Sequence, residues 1–359
     1  MSRRRVWFTI GWLLALAAAG IGVAVALPGS GKEQTKAPEE RAPSDDVLRD
    51  QELRVVEADA LLAGDTSPVV GSLVLSAGWG SGPEQVAIGE GAPVWGPTDF
   101  ALSQDCSTIA ILDSWNGRVQ MYDMSGGVVG STPIPGSIGI YLEYLANGNL
   151  VLFHSGEENQ LLTVRPGGDV TQSVLADIGV VCGEPAMPSG IASIGDDLWV
   201  RGSNEFWWPA IIAGVPLSPQ AQEQQAITGA GRPVAVGFVR AIKVSELACT
   251  VDLIDTASGI TTRLSIGASD LPISVVRVLG GDEAGNTYVQ LEVGSYDQPA
   301  SAPYRVIRIN RDGEKTGELA LTDRRPGDWF STGIKVGSDG RVYQMLRGGD
   351  AIQVEVHSY

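Results

Sequence analysis

The sequence predicts an all-β fold, a six-bladed β-propeller with four-stranded antiparallel blades, preceded by one N-terminal transmembrane helix. From about residue 85, an apolar strand, a tight polar turn and a second strand of β-branched and aromatic residues recur, and two more strands follow each recurrence. A long uncharged stretch after three arginines predicts the helix. The 46 Gly, 20 Pro and 19% charged residues exclude a disordered or coiled-coil chain.

Residues 1–27 have the features of a membrane anchor. Arg3 to Arg5 precede the uncharged stretch Val6 to Leu27, which at about 1.5 Å per residue spans a hydrocarbon core of ~30 Å. Basic residues stay on the cytoplasmic side, so we expect a single pass with a cytoplasmic N-terminus and an extracytoplasmic C-terminal domain. The alternative is a cleaved signal peptide, with Ala24-Val25-Ala26 as cleavage site and a secreted product; the length of the apolar stretch favours the anchor.

Residues 28–66 are predicted to be an acidic flexible linker. They are rich in Asp, Glu and Pro, and no alternation of apolar and polar residues predicts a buried strand. The alternative is a short helix within Asp45 to Leu62. The whole chain carries a formal charge of −17, and no basic cluster follows residue 5. Such a chain repels phosphate backbones, so nucleic-acid binding is excluded.

Residues 67–359 are predicted to form the propeller. Asx and Gly residues, which tolerate the positive φ of tight hairpins, mark the turns between first and second strands. These turns are Asp105-Cys106-Ser107, Asn147-Gly148-Asn149, Asp196-Asp197, Gly285-Asn286 and Asp339-Gly340-Arg341. Their spacing predicts a sixth turn near Arg240.

The last predicted unit ends with the strand Ala351 to His357 and lacks a fourth strand. An N-terminal strand would supply it and remove an open sheet edge. Glu84 to Gly89 is the predicted donor, with Val69 to Ser76 added to the same blade or packed beside it. A ring of seven blades is the alternative, if residues 60–90 form a blade of their own.

One stretch of the first blade resembles a known family. Gly96-Pro97-Thr98-Asp99-Phe100-Ala101, followed by Ile109 to Asp123 with its triplet Asp113, Asn116 and Arg118, is similar to NHL-repeat six-bladed propellers. The other five units keep the strand rhythm but lack the triplet. The resemblance therefore covers about residues 85–359 at the level of the fold, within a superfamily that includes TolB-like and lactonase-like propellers. Its members serve as receptors, sensors, lactonases and lyases, so it implies no single function.

Ligands of such propellers bind at loops that precede the first strand or join the second and third strands. Several tryptophans fall there: Trp95, Trp115, Trp207, Trp208 and Trp329. Exposed aromatic rings anchor protein, peptide or glycan ligands, so we expect a partner of this kind, outside the membrane, on the face formed by these loops, the Trp face. Consecutive strand residues face opposite ways, so Trp207 and Trp208 are not both expected in a core. The alternative is that the rings cap the blades.

The predicted second strands end in polar residues, expected to ring one mouth of the channel: Asp113, His154, Arg201, Lys243, Glu292 and Arg347. His154, Arg201 and Arg347 join the tryptophans as predicted binding residues. The alternative is a local role, with Asp113 bound to Asn116 or Arg118 of its own hairpin.

No residue is predicted to be catalytic, and no cofactor is expected. The two histidines, His154 and His357, fall in different blades and cannot supply the three ligands of a catalytic zinc. No Gly-x-Ser-x-Gly motif occurs. Calcium or another divalent cation is the alternative, because the resemblance to lactonases implies carboxylate ligands, for which the chain offers Glu184, Glu205, Glu292 and Asp350. The three cysteines, Cys106, Cys182 and Cys249, are expected to be reduced.

These observations favour a membrane-tethered, extracytoplasmic module of a bacterial membrane that binds, senses or scaffolds. With a predicted cytoplasmic part of residues 1–5, sensing would require a membrane partner. The alternative is a divalent-cation-dependent, lactonase-like hydrolase with its site in the propeller channel. The sequence leaves the ligand and the oligomeric state open.

Overall fold

The computed structural model describes residues 54–88, 96–135, 139–155, 159–175, 188–202, 206–224, 231–235, 237–295, 297, 299–322 and 333–359. The predicted membrane segment and residues 28–53 of the predicted linker lie outside these ranges. No helix within them is long and apolar enough to cross a membrane.

The first three blades follow one another along the chain, each with four strands in sequence order from the centre outward. Blade 1 contains β3 (Phe100–Leu102), β4 (Thr108–Asp113), β5 (Arg118–Asp123) and β6 (Val128–Pro133). Blade 2 contains β7 (Gly139–Tyr144), β8 (Leu150–Ser155), β9 (Asn159–Val164) and β10 (Val170–Val174). Blade 3 contains β11 (Pro188–Ile194), β12 (Asp197–Gly202), β13 (Trp207–Ile212) and β14 (Val215–Pro216), and the short helix α1 (Pro219–Gln224) follows it.

The other three blades include two strands from the N-terminal part, β1 (Arg54–Leu61) and β2 (Ser72–Gly78). Blade 4 contains β15 (Arg232–Val234), β16 (Gly237–Ser245), β17 (Ala248–Asp255) and β18 (Ile260–Gly267), with β1 added beside β18. Blade 5 contains β19 (Ile273–Gly281), β20 (Thr287–Val293), β21 (Tyr304–Ile309) and β22 (Lys315–Leu321). Blade 6 contains β23 (Ile334–Val336), β24 (Val342–Arg347) and β25 (Ala351–His357), with β2 as its outer strand.

The described strands thus form six sheets, and strands adjacent along the chain pair antiparallel within each blade. The first strands of successive blades contact one another and line the centre of the ring. The prediction of an all-β, six-bladed propeller is confirmed, and the seven-bladed alternative is wrong.

Each blade is packed on both faces, and the composition of its inner strands reflects this. Ile109, Ala110, Ile111 and Leu112 of β4 are all buried. The two isoleucines belong to the core between blades 1 and 6, whereas Ala110 and Leu112 belong to the core between blades 1 and 2. Alternate side chains of a strand point to opposite faces, so a strand covered on both sides needs apolar residues at every position.

Five of the predicted turns join first and second strands as expected. In them Gly148, Gly285 and Gly340 adopt the positive φ that such hairpins require. The sixth, near Arg240, is wrong, because β15 ends at Val234 and the turn precedes Gly237. Arg240 lies inside β16, where its guanidinium forms a 2.6 Å ion pair with Asp252 of β17.

The strand that closes the ring is also a correction. An N-terminal strand does complete the last blade as predicted, but it is β2, which pairs antiparallel with β25. Of the predicted donor, Glu84 to Gly89, Val86 forms one isolated bridge with Trp79. The neighbouring backbone faces blade 1 instead, where Arg118 Nη2 donates to the carbonyl oxygens of Gly82 (2.8 Å) and Gln85 (2.5 Å). This segment is therefore held by the Arg118 side chain and by local backbone hydrogen bonds, such as that from the Gly80 amide to the Val86 carbonyl oxygen (3.0 Å), and not by a neighbouring strand.

The predicted linker contains a strand, which is a second correction. β1 pairs parallel with β18 along its whole length. It is an edge strand: Val55 and Val56 are exposed, while Ala58 and Ala60 pack against the core of blades 4 and 5. The half-buried edge needs only small residues on its inner face, so the pattern in the sequence is weak.

Residues 54–88 together form a strap that contacts blades 4, 5, 6 and 1 in turn. Between β1 and β2 the strap crosses blade 5, where the backbone amide of Val69 donates to the carbonyl oxygen of Ala320 (2.7 Å). There the amide and hydroxyl of Ser301 also donate to the carboxylate of Asp65 (2.9 and 3.0 Å). The strap thus bridges three successive blade boundaries, including the one at which the ring closes.

Two leucines of β2 provide a matched test of this closure. Leu75 is buried between blades 6 and 1, whereas a β-bulge between Leu73 and Leu75 leaves Leu73 56% exposed. We expect Leu75→Ala to lower the free energy of unfolding by about 2–5 kcal/mol, as for other buried leucines. Leu73→Ala should change it by less than about 0.5 kcal/mol. Equal effects in denaturant titrations would show that β2 does not pack at the closing boundary.

Candidate functional site

The described residues line an open cavity of about 240 Å³ at one end of the central channel. It is bounded by the ends of the six first strands and by the turns that follow them, so every blade contributes. Because a first strand runs from one mouth of the channel to the other, this end is opposite the predicted Trp face. The sequence-based prediction therefore pointed to the other mouth.

A buried ion network crosses the channel beside this cavity. Lys335 of β23 places Nζ 2.9 Å from the carboxylate of Glu143 on β7 and 3.3 Å from that of Asp99, which precedes β3. The Asp99 carboxylate also accepts the backbone amide of Leu142 at 2.9 Å. Blade 6 is thus connected to blades 1 and 2 through one ammonium group.

Burial and charge oppose each other in this network. Burial raises the pKa of Asp99, and Lys335 offsets only part of that effect. Burial alone would lower the pKa of Lys335, but Asp99 and then Glu143 outweigh it, so its pKa is raised. Lys335 therefore remains charged and neutralises part of the negative charge of the two carboxylates.

A second cationic group lies across the channel on Arg232 of β15. The Arg232 guanidinium carbon stands 5.5 Å from the ring centre of Trp207, and that of Arg201 stands 5.9 Å from the same ring. Arg201 is held by Ser189, whose hydroxyl and carbonyl oxygens each accept one of its N–H groups at 3.0 Å. Two arginines thus lie within cation–π distance of one aromatic ring.

Arg232 is poorly satisfied by the protein. Nη1 donates to the carbonyl oxygen of Val278 at 3.4 Å, and the buried Nε has no hydrogen-bond partner among the described residues. Burial lowers the pKa of Arg232. The negative charge of Glu143 acts in the opposite direction, and the positive charge of Arg201 lowers the pKa further. The guanidinium therefore lies beside the cavity with most of its donors unused.

The predicted binding residues are placed in different ways. Arg201 and Trp207 are brought together, as described, on neighbouring strands of blade 3. Trp207 and Trp208 are 4% and 1% exposed, so the expectation that they cannot both be core is wrong. Both faces of a blade are covered by its neighbours, and opposite side chains of β13 can therefore both be buried.

Of the other predicted anchors, Trp115 is 60% exposed in the turn between β4 and β5, and Arg347 is exposed at the end of β24. Trp95 and Trp329 lie outside the described residues. The backbone of His154 lies in β8, and its side chain is not among those described. The binding role of all these residues, the two buried tryptophans included, stays a prediction.

The predicted polar series does lie at the ends of the second strands. The first residue of this series, Asp113, stabilises its own hairpin, which was the alternative prediction. The buried carboxylate of Asp113 accepts hydrogen bonds from Asn116 Nδ2 (2.7 Å) and Arg118 Nε (3.0 Å), and from the backbone amide of Ala87 in the strap (3.1 Å). Glu292 is paired with Arg277 at 3.3 Å. These contacts hold hairpins and blades together.

Within the described ranges, no three Asp, Glu, His or Cys side chains lie close enough together to hold a metal ion. Of the predicted cation ligands, Glu184 and Glu205 lie outside those ranges, and Asp350 is exposed. Cys106 and Cys249 are buried free thiols, and burial raises the pKa of Cys249 to about 12. Cys182 lies outside the described residues.

Sequence reasoning missed Asp99, Glu143, Arg232 and Lys335 as a group. A signal was present, because Lys335 stands between Ile334 and Val336 and Glu143 follows Leu142 in short strands expected to be buried. Charged residues at such positions are expensive unless they are paired or face a cavity. A search for charges inside the predicted first strands would have found two of the four.

No known protein-family model matches the sequence, and no curated protein does. Among solved structures, the chain is similar to Kuenenia stuttgartiensis hydrazine synthase, with 17% identity, a TM-score of 0.45 and coverage of 72% of this chain and 76% of that one. It is also similar to the β-propeller domain of Myceliophteria thermophila Cps50 (Swd1), with 11% identity, a TM-score of 0.42 and coverage of 82% and 99%. A third similar structure is Kluyveromyces lactis Hsv2, with 12% identity, a TM-score of 0.42 and coverage of 69% of this chain and 70% of that one.

These identities and TM-scores are too low to carry an argument about function. The NHL-repeat assignment likewise stays a prediction beyond the level of the fold. The strand pairing itself identifies the chain as a six-bladed β-propeller, a type of domain that commonly serves as a binding or scaffold module.

Proposed function

We propose that this chain is a membrane-tethered, extracytoplasmic binding module whose ligand occupies the channel cavity. The observation that carries the proposal is the half-buried Arg232 guanidinium, which borders the cavity and whose buried Nε has no hydrogen-bond partner among the described residues. Buried polar groups are normally satisfied, and an exception beside a cavity is typical of a binding site. The cavity also has the position expected of a site to which all blades contribute.

Two other functions have less support. Trp115 is exposed and supports a contact of the Trp face with a protein, peptide or glycan, but buried Trp207 and Trp208 do not. The lactonase-like hydrolase stays a prediction from sequence, with two of its carboxylates, Glu184 and Glu205, outside the described residues. The channel is therefore the first place to test.

Filling the cavity should abolish ligand binding. Ser193 lines it from β11, whereas Val215 is 64% exposed on β14 of the same blade. We expect members of a panel of small acids, phosphates, sugars and amines to raise the melting temperature of the wild type and of Val215→Trp, but not that of Ser193→Trp. A panel without any binder, or binders unaffected by Ser193→Trp, would contradict the channel site.

The tether is tested separately by fractionation. The full-length chain is expected to sediment with membranes and to need detergent for extraction, because Val6 to Leu27 is long enough to span a bilayer. A chain that begins at Arg54 should be soluble. Beginning at residue 66 instead would remove β1 and expose the edge of β18, so we expect that form to aggregate more. A mature form beginning at Leu27 and free in the medium would overturn the anchor.

A further inference from the structure

We infer that the channel ligand carries a carboxylate, and that this group is bound by the guanidinium of Arg232. The inference rests on the proposed function, because it assumes that the cavity beside Arg232 is the binding site. It adds the chemical class of the ligand, a small polar monocarboxylic acid.

The first step is the number of free donors. A guanidinium has five N–H donors in a flat fork, which fits a carboxylate through two parallel hydrogen bonds. The described residues use one of these donors on Arg232, in the 3.4 Å hydrogen bond to Val278. Nε is buried without a partner, and no carboxylate forms an ion pair with the group within the described part of the chain.

The second step is preorganisation. The Arg232 guanidinium carbon lies 5.5 Å from the ring centre of Trp207, and this cation–π contact favours positions in which the guanidinium plane stays beside the ring. The edges of such a plane remain available for in-plane hydrogen bonds. A ligand carboxylate would therefore meet a donor fork that is already oriented and would lose little side-chain entropy on binding.

The third step is the sign and size of the charge. Lys335 forms its ion pairs with Asp99 and Glu143, whereas Arg232 has no ion pair among the described residues, so its single positive charge is the one left for a ligand beside the cavity. One carboxylate neutralises it, whereas a doubly charged phosphate would leave a net negative charge in a buried site. Uncompensated charge is costly there, and a chain of net charge −17 also repels dianions more strongly.

Two acidic residues, Asp282 and Glu283, also line the cavity. The buried Asp282 carboxylate already accepts hydrogen bonds from Asn286 Nδ2 and from the hydroxyl of Tyr288, each at 2.8 Å. Glu283 is exposed on the rim, where water screens its charge. The deeper part of the cavity, next to Arg232 and Lys335, is therefore the part that favours an anion.

The fourth step is size. A cavity of about 240 Å³ is smaller than the roughly 300–1,000 Å³ of pockets for drug-sized ligands. Ser193, Ser338 and Gln104 line it together with the charged residues, so polar groups on the body of the ligand would find partners. Size and lining together favour an acid of a few carbon atoms with hydroxyl groups over a peptide or a fatty acid.

The test uses the full-length chain in detergent solution at pH 7.5. Sodium acetate and sodium glycolate are compared with methyl phosphate, glycerol and ethanolamine, with sodium chloride keeping the ionic strength equal. At about ten times the dissociation constant, both carboxylates should raise the melting temperature by about 2–4 °C, and the other probes should not. In proton–nitrogen NMR spectra of the wild type, acetate should shift the Arg232 Nε–H signal.

Variants of Arg232 test whether this residue binds the carboxylate, separately from whether the channel is a binding site at all. Arg232→Gln should bind both carboxylates at least about tenfold more weakly, because it removes the charge and the fork. Arg232→Lys, which keeps the charge, should retain part of the binding. Arg311→Gln, an exposed arginine in the turn between β21 and β22, is the matched control and should bind as the wild type. The NMR titration needs no variant and applies even where a substitution affects folding.

The outcomes are distinct. Stabilisation by methyl phosphate, glycerol or ethanolamine that disappears in Ser193→Trp would overturn the carboxylate inference and leave the channel site standing. Carboxylate binding that is unchanged in Arg232→Gln and leaves the Arg232 signal in place would also overturn it. If no probe binds and none of the wider panel does, the proposed function fails as well.

Discussion

Replacing Lys335 with Met is expected to lower the free energy of unfolding by about 3–5 kcal/mol at neutral pH. Met has a similar length and fills the space, so the effect reports the loss of charge. Without the ammonium group, the carboxylates of Asp99 and Glu143, on the neighbouring blades 1 and 2, are left near each other while 2% and 13% exposed. Two buried like charges without their cation are far more costly than the pair that the wild type contains.

The pH dependence of this variant has a defined sign. Burial raises the pKa of Asp99 already in the wild type, and removal of Lys335 should raise it further. A carboxyl group whose pKa is higher in the folded state makes stability fall as pH rises through the acidic range. The difference in stability between Lys335→Met and the wild type should therefore shrink as the pH falls from 7 towards 4.

Arg232→Met is the matched control for this substitution. It removes another cation beside the channel, but one that is half-buried and forms no ion pair within the described part of the chain, so we expect stability in the absence of ligand to stay equal or rise. Urea titrations of both variants and the wild type at several pH values measure these effects. Equal losses in both variants would show that the Lys335 network does not hold blades 1, 2 and 6 together.

Trp208→Ala is expected to lower the free energy of unfolding by about 3–5 kcal/mol. Trp208 is 1% exposed and packs in the core formed by blades 2 and 3, with Phe153 and Leu161 among its neighbours in that cluster. Truncation would leave a cavity that the backbone of β13 cannot close, because β12 and β14 pair with it on either side.

Trp115→Ala provides the comparison. The same chemical change at a side chain that is 60% exposed should alter stability by no more than about 0.5 kcal/mol. Thermal melts and urea titrations of both variants suffice. If Trp208→Ala melted like the wild type while Trp115→Ala was unstable, the assignment of core and surface on this side of the molecule would be reversed.

The repeat could be predicted because its signals are local. A hairpin turn needs Gly or Asx within a few residues of two apolar runs, and five turns carry that signature. The turn before Gly237 does not, and the run through Arg240 therefore appeared to be two strands. The ion pair with Asp252, its cross-strand partner on β17, explains why a charged residue lies within β16.

Ring closure and the site could not be predicted in the same way, because both depend on contacts between distant residues. Ser72–Gly78 and Glu84–Gly89 are both short and partly apolar, and only pairing with β25 distinguishes them. Aromatic residues in apparent loops suggested a surface, whereas Trp207 and Trp208 lie in a strand covered on both faces. Lys335, Asp99 and Glu143 come together only when blade 6 meets blades 1 and 2.

The pairing of β2 with β25 also affects how the chain folds. The two strands come from opposite ends of the described sequence, so their contact has a very large sequence separation and a high cost in loop-closure entropy. Until β25 has been synthesised, β2 has no strand to pair with and presents an unpaired edge, which makes the chain prone to aggregate. Five blades can form from local hairpins, so we expect the annealing of β2 onto blade 6 to be the last slow step of folding. Folding is therefore expected to show a late phase whose rate Leu75→Ala changes and Leu73→Ala does not.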